Sequence, residues 1–325
     1  IAASSAGVND RALAEVRRAL ELRPDWEMAA LLEAQLLSRE SPAEALSFLQ
    51  GFVERNPKAR DAQLHLARAL IGEKRYSEAR VQFEQLLKDY PDSPEVVYPV
   101  AMLALQQNDK VLAEAQLKHF LTLNVPDKSA AYFYLGQIAE DAKRSDDALV
   151  YYAQVGAGEQ YFPAQLRSAH VLADQGKLDA ARKLLGDAKT DSPEARVQLV
   201  IAEAALLREA KQTQAAFDLL EQALASQPEQ PDLLYETALL AERLERMDIL
   251  ETRLRRLIEL RPDSAQAYNA LGYRLARYPE DSFILDSMGW VLYRQGDLSG
   301  ALTYLERAYA QRDDPEIAAH LGEVL

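Results

Sequence analysis

The chain has 325 residues, 48% apolar and 27% charged, with 51 acidic side chains against 37 basic ones, a net charge of −14 and no cysteine. Arginines such as Arg17, Arg18, Arg253, Arg255 and Arg256 sit among glutamates, so no nucleic-acid partner is expected, and the missing cysteine removes disulfides, thiolate metal sites and a cysteine nucleophile. The longest apolar run, residues 96–105, is about half a bilayer span and holds Pro99, so no segment is expected to cross a membrane.

From the N-terminus onward, prolines close helical patterns at a regular beat. Pro24, Pro57, Pro91 and Pro126 follow one another at 33, 34 and 35 residues. One beat then lacks its proline. Pro193, Pro228 and Pro262 resume it at 35 and 34, and Pro315 closes the last full segment. A period near 34 made of two helical halves predicts stacked helical hairpins, each burying its apolar face on the next. The expected fold is all-α, one superhelical solenoid over residues 1–325 with about ten hairpins. Repeats fall at 25–57, 58–91, 92–126, 127–160, 161–193, 194–228, 229–262, 263–281 and 282–314, with partial ones at 1–24 and 315–325.

The first partial repeat is expected to turn at Gly7. The repeat ending at Pro91 is the clearest, with helix A over 61–70, a turn over 72–76 and helix B over 77–88. Ala67 in helix A and Ala79 in helix B allow close approach, and Phe83 and Leu86 fill the space beside them. The helix A place recurs as Ala101, Gly136, Ala169, Ala238, Gly272, Gly289 and Gly322. The helix B place recurs as Ala12, Ala45, Ala113, Ala148, Ala181, Ala216 and Ala301, with Leu250 the exception. Ser93, Ser192 and Asp314 each precede a proline as N-caps, and Ser41 with Glu44 has capping-box spacing. Gly176 and Gly296, like Gly7, fall at A–B turns where a left-handed residue is needed. No segment alternates with period two, so no strand is predicted.

Two places are irregular. Residues 155–163 form a Gly-rich link in place of the usual proline; Gly156 and Gly158 follow a helix and lack a third glycine, so they read as a link rather than a phosphate loop. After Pro262, helix A runs over 265–276, yet Pro279 arrives 17 residues later, half the period. The expected cause is that about 17 residues, one helix B, are absent between Ala276 and Tyr278. Ile1 falls mid-helix and Leu325 ends a lone helix A, so the solenoid is expected to continue beyond one or both ends.

Tyr132, Leu135, Gly136, Ala148 and Tyr152, and again Leu285, Met288, Gly289, Ala301, Leu305 and Ala308, resemble the pattern of tetratricopeptide repeats (TPRs). The resemblance covers almost the whole chain. It implies a non-enzymatic protein-binding solenoid without a cofactor, whose concave face is lined by helix A. Carrying the lining positions onto this register gives Tyr98, Met102, Phe133, Gln137, Leu166, His170, Tyr235, Leu239, Asn269, Tyr273, Asp286, Trp290 and Tyr293 as groove candidates. Aromatics and methionine are usual anchors of protein-binding surfaces. The family's basic clamp on a terminal carboxylate is not matched, because its positions hold Leu64 with Arg68, Tyr98 with Met102, and Phe133 with Gln137.

No hydrolase, zinc-protease, Walker or EF-hand pattern occurs, so no catalytic residue and no metal ligand is assigned. His65, His119, His170 and His320 lie in separate repeats. His170 with Asp174, and His320 with Glu323, read as surface hydrogen-bond pairs.

Residues 284–293, 301–310 and 315–325, with 269–273 upstream, resemble the ending of proteobacterial outer-membrane TPR lipoproteins, above all adaptors of a periplasmic carboxy-terminal processing protease. That resemblance implies a scaffold on the periplasmic side of the outer membrane, held by an N-terminal lipid outside this chain. It would bring the protease together with peptidoglycan-hydrolase substrates. The other reading is a cytoplasmic TPR assembly factor or secretion chaperone that takes peptide segments in its groove.

Overall fold

The computed structural model describes residues 2–190, 192–261, 264–277 and 279–325, and their side chains outside 2–8, 272–277 and 283. Among these residues there are nineteen α-helices and no strand. They divide into two compact units, 1–161 and 162–325. The division falls in the Gly-rich link.

The first unit holds α1 (Ala2–Leu22), α2 (Glu27–Ser38), α3 (Pro42–Arg55), α4 (Arg60–Gly72), α5 (Tyr76–Asp89), α6 (Pro94–Gln106), α7 (Lys110–Thr122), α8 (Ser129–Asp141) and α9 (Ser145–Tyr152). The second holds α10 (Tyr161–Asp174), α11 (Leu178–Gly186), α12 (Pro193–Glu209), α13 (Thr213–Ser226), α14 (Pro231–Arg243), α15 (Met247–Leu260), α16 (Ala265–Arg277), α17 (Ser282–Arg294), α18 (Leu298–Gln311) and α19 (Pro315–Val324). The A helices with a following partner are α2, α4, α6, α8, α10, α12, α14 and α17.

Small residues set the hairpin spacing. Ala67, Ala79, Ala101, Ala113, Ala148, Ala181, Ala216, Ala238 and Ala301 are all buried, and larger neighbours such as Phe83, Leu117, Tyr152 and Leu305 fill the space they leave. At Gly136 and Gly289 even a methyl group has no room: a Cβ on Gly289 would lie 2.5 Å from Leu305 Cγ. Close packing of this kind tolerates little added volume.

Seven of the A helices stop by the same device, whereas α2 ends at Arg39 in the right-handed region. Lys143 and Gly176, for example, take φ of 58° and 75°, and Lys74, Asn108, Lys211, Glu245 and Gly296 occupy the same turn position with φ between 57° and 86°. The next residue reaches back into the last turn: Arg144 N–H donates to Ala139 O at 2.8 Å while Lys143 N–H donates to Glu140 O at 2.8 Å. This is the Schellman pattern, and it satisfies carbonyls that the helix end leaves free. Glycine supplies the left-handed residue at only two of these seven turns, so the turn recurs more widely than glycine spacing suggests.

Adjacent repeats are pinned by side chains about one period apart. Arg60 donates to Ser93 Oγ (2.7 Å), Arg80 to Gln107 Oε1 (2.8 Å), Arg144 to both carboxylate oxygens of Glu114 (3.0 and 2.8 Å), and Arg253 to Glu221. The Arg144–Glu114 fork holds Glu114 below its ordinary carboxylate range. Fork-shaped pairing orients as well as attracts.

Two expectations change, and a third falls outside the described residues. Gly7 lies inside α1 rather than at a turn, consistent with the helix preference of the alanines around it. Ser93 does not cap its helix: its hydroxyl donates to Glu95 Oε2 at 2.6 Å and accepts from Arg60, whereas Ser41, Ser192 and Asp314 do accept the expected backbone N–H. Between α16 and α17 the described residues hold no helix B, and Tyr278, where the missing segment is expected, lies outside them.

Candidate protein-binding faces

Three surfaces arise from helix A side chains that are not used up in packing. In the first unit, α2 is apolar almost all round, more than one buried stripe requires. Ala30, Ala34 and Leu37 go into the core, while Met28 stays 70% and Leu32 44% exposed. Both line an open cleft of about 740 Å³ between α2, α3 and α4, with Leu31 and Leu49 inside and Gln35, His65 and Arg68 at the rim. The candidates drawn from sequence omitted this cleft. The surplus of apolar positions on α2 was the signal for it.

Further along, Tyr98 and Met102 are half-buried on α6, and Tyr98 packs on Phe120 with ring centroids 5.2 Å apart. Burial, with the Tyr134 hydroxyl nearby, pushes the Tyr98 phenol up to about 12, so it stays protonated as a hydrogen-bond donor. Phe133 does not join this face. It is 6% exposed and wedged against Tyr134 (5.6 Å) and Tyr152 (6.0 Å). Tyr134, one residue on, is half-buried and packs on the same apolar cluster as Tyr98, and Gln137 is half-buried as well. One residue turns a helix by about 100°, enough to exchange a core place for a surface one.

In the second unit Leu166, Tyr235 and Leu239 are half-buried, and His170 and Asn269 are exposed. The Tyr273 side chain lies outside the described residues. Trp290 is half-buried, stacked on His320 at 4.4 Å and 25°, with Tyr293 at 5.3 Å. Asp286 is not a groove residue. It is fully buried, bonded by Arg255 and by His320 Nδ1 at 2.9 and 3.1 Å. His320 therefore pairs with Asp286 from α17, not with Glu323.

Arg255 is the hub of that cluster. Besides Asp286 it donates to Ser287 Oγ (3.1 Å), Glu316 Oε1 (2.9 Å) and Glu251 (2.6 Å), tying α15 to α17 and α19. Burial pushes the Glu251 carboxyl up to about 7, with Asp286 and Asp281 adding to the rise and Arg255 opposing it. Among the described residues no three His, Asp or Glu side chains group as metal ligands, and no helix is long and apolar enough to cross a membrane.

These hairpins define a TPR-type helical solenoid. Tetratricopeptide repeat models match residues 36–103 and 98–161. Over 212 residues the chain is 42% identical to a TPR repeat-containing protein of Pseudomonas aeruginosa, a match spanning 60% of this chain and 36% of that protein's length. The C-terminal part of a TPR repeat-containing protein from Cytophaga hutchinsonii shares the fold at a TM-score of 0.50 and 15% identity, over 79% of this chain and 99% of that one. A chain in the structure of Naa15/Naa10 bound to HypK superposes at a TM-score of 0.45 and 13% identity, over 97% of this chain and 63% of that one.

Proposed function

We propose that this chain is a non-enzymatic scaffold that holds protein partners on its A-helix faces, and that it works in the bacterial envelope as an adaptor. The observation that carries the binding role is the cleft over α2–α4, where Met28 and Leu32 are left in solvent beside Arg68. Exposed apolar area of this sort marks interaction surfaces. The half-buried Tyr98–Tyr134 pair and Trp290 supply rigid anchors of the kind that dominate interface energies.

The envelope assignment rests on the C-terminal sequence resemblance. In this reading the partners are a carboxy-terminal processing protease and peptidoglycan hydrolases, and the scaffold acts by raising their effective concentration near each other. An N-terminal lipid outside this chain would hold it at the periplasmic side of the outer membrane. Affinity capture from envelope extract with identification by mass spectrometry tests this reading. The protease and at least one hydrolase are expected to come down with the native chain and to be lost with Met28→Glu/Leu32→Glu or with Tyr98→Ala/Tyr134→Ala. Capture of cytoplasmic proteins alone would support the assembly-factor reading instead.

A further inference from the structure

We propose that the cleft over α2, α3 and α4 takes an acidic amphipathic helix of a partner protein, its apolar side chains in the trough and a side-chain carboxylate on Arg68. The proposal rests on the scaffold reading and adds to it the chemistry of the partner.

Shape suggests a helix. Met28, Leu32 and Gln35 on α2, and His65, Arg68 and Gly72 on α4, line the cleft at steps of three or four residues. Such steps keep side chains on one face, so the cleft has two helical edges. The α2 edge runs from Met28 to Ser38, roughly 15 Å of helix. A helix is about 10–12 Å across with a 5.4 Å pitch, so each turn fills roughly 400–600 Å³. The cleft of about 740 Å³ therefore admits the inward half of about three turns, the length of its own edge. Leu49 is buried at its floor, and the exposed Met28 and Leu32 would be covered by an apolar stripe.

Charge selects the occupant. Histidine aside, the A helices of the first unit that have a following partner, α2, α4, α6 and α8, carry two basic side chains, Arg60 and Arg68. Arg60 is engaged by Ser93, Glu95 and Asp61. Arg68 is exposed in the cleft and makes no hydrogen bond or ion pair among the described residues. The acids nearby are already answered, Glu95 by Arg60 and Asp141 by Lys110. Glu73, the one acid among the described lining residues, sits past the end of α4, where Arg75 adds a positive charge.

Arg68 is thus a cation without its anion in a chain of net charge −14. The overall charge draws basic segments to the surface at large, so a preference for an acidic one can come only from a local cation. A glutamate or aspartate flanking the apolar stripe supplies the missing carboxylate in a charge-assisted hydrogen bond. His65, one turn back on α4, offers a ring nitrogen to the same group.

The test uses the full chain and fluorescent peptides of about four turns, acetylated and amidated so that no terminal carboxylate is present. One carries a Leu/Ala stripe flanked by glutamates, and its control has glutamines in their place. By anisotropy the glutamate peptide is expected to bind saturably, to lose about tenfold or more in affinity with Arg68→Gln, and to keep most of it with Arg68→Lys. The glutamine peptide should bind more weakly and ignore both substitutions. Leu32→Glu, with far-ultraviolet circular dichroism unchanged, should abolish binding of the glutamate peptide. No saturable binding, an affinity untouched at Arg68, or an equal loss with Lys88→Gln on the exposed side of α5 would overturn the proposal. So would a concentration-dependent dimer in sedimentation that Arg68→Glu abolishes, since the occupant would then be a second copy. Capture of envelope partners that survives Arg68→Glu but not Met28→Glu/Leu32→Glu would leave the scaffold standing and remove the acidic partner. Capture indifferent to Met28→Glu/Leu32→Glu, with the peptide result intact, would remove the scaffold reading at this cleft and leave its preference for acids.

Discussion

Replacing Gly136 by alanine would put a methyl carbon 2.4 Å from Cε1 and 2.5 Å from Cδ1 of Tyr152. Tyr152 is fully buried and its hydroxyl donates to Glu140 Oε2 at 2.6 Å, so the ring cannot retreat without breaking that bond and disturbing Phe133 behind it. Overpacking costs about 1–3 kcal/mol. Losing a hydrogen bond to a carboxylate adds about 1.5–3 kcal/mol. Alanine in place of glycine inside a helix returns about 1 kcal/mol. The expected net destabilisation is about 1.5–5 kcal/mol, measured as a fall in the urea midpoint of the transition followed by helical circular dichroism. A cycle with Tyr152→Leu isolates the cause. Once the ring is gone the methyl has room, so Gly136→Ala/Tyr152→Leu should be no less stable than Tyr152→Leu alone. A Gly136→Ala protein within about 0.5 kcal/mol of the native chain, or strictly additive effects, would refute the reasoning.

Two other predictions concern pH and backbone. Glu251 has a folded-state affinity raised to about 7 from its ordinary 4.5, so between those values the folded chain holds a proton that the unfolded chain has released. Its contribution to stability is therefore full below 4.5 and lost as pH rises through 7, a drop on the order of 1–3 kcal/mol. Glu251→Gln should flatten that slope between pH 5 and pH 8, and identical slopes in denaturant melts of the two proteins would contradict the assignment. Lys143 holds a φ of 58° at an A–B turn, and Lys143→Gly is expected to stabilise the first unit by about 0.5–1 kcal/mol, checked by the urea midpoint; a fall would show that the left-handed turn carries no strain.

The solenoid was legible because its determinants are local and periodic. Prolines mark the links, and residues such as Ala67 and Ala79 announce close helix approach without any knowledge of the neighbours. The faces were less legible, for reasons visible in particular residues. Phe133 and Tyr134 differ by one step along α8, and which of them enters the core depends on the Tyr152 ring supplied by α9. Asp286 sits in a lining position by register, yet Arg255 and His320, each about one repeat away, make its burial possible, and no local pattern reveals such a partner. The cleft over α2 has no signature in any single helix, because it is a property of α2, α3 and α4 together.

The central claim, that this chain serves as a scaffold for proteolysis in the envelope, is tested most directly by reconstitution. Purified carboxy-terminal processing protease and a peptidoglycan hydrolase are mixed with and without the chain, and hydrolase degradation is followed over time. The account predicts that the chain accelerates degradation about tenfold or more, by effective concentration, with an optimum in scaffold concentration and a loss of effect on Met28→Glu/Leu32→Glu. Degradation at the same rate with and without the chain, or acceleration indifferent to that substitution, would contradict it.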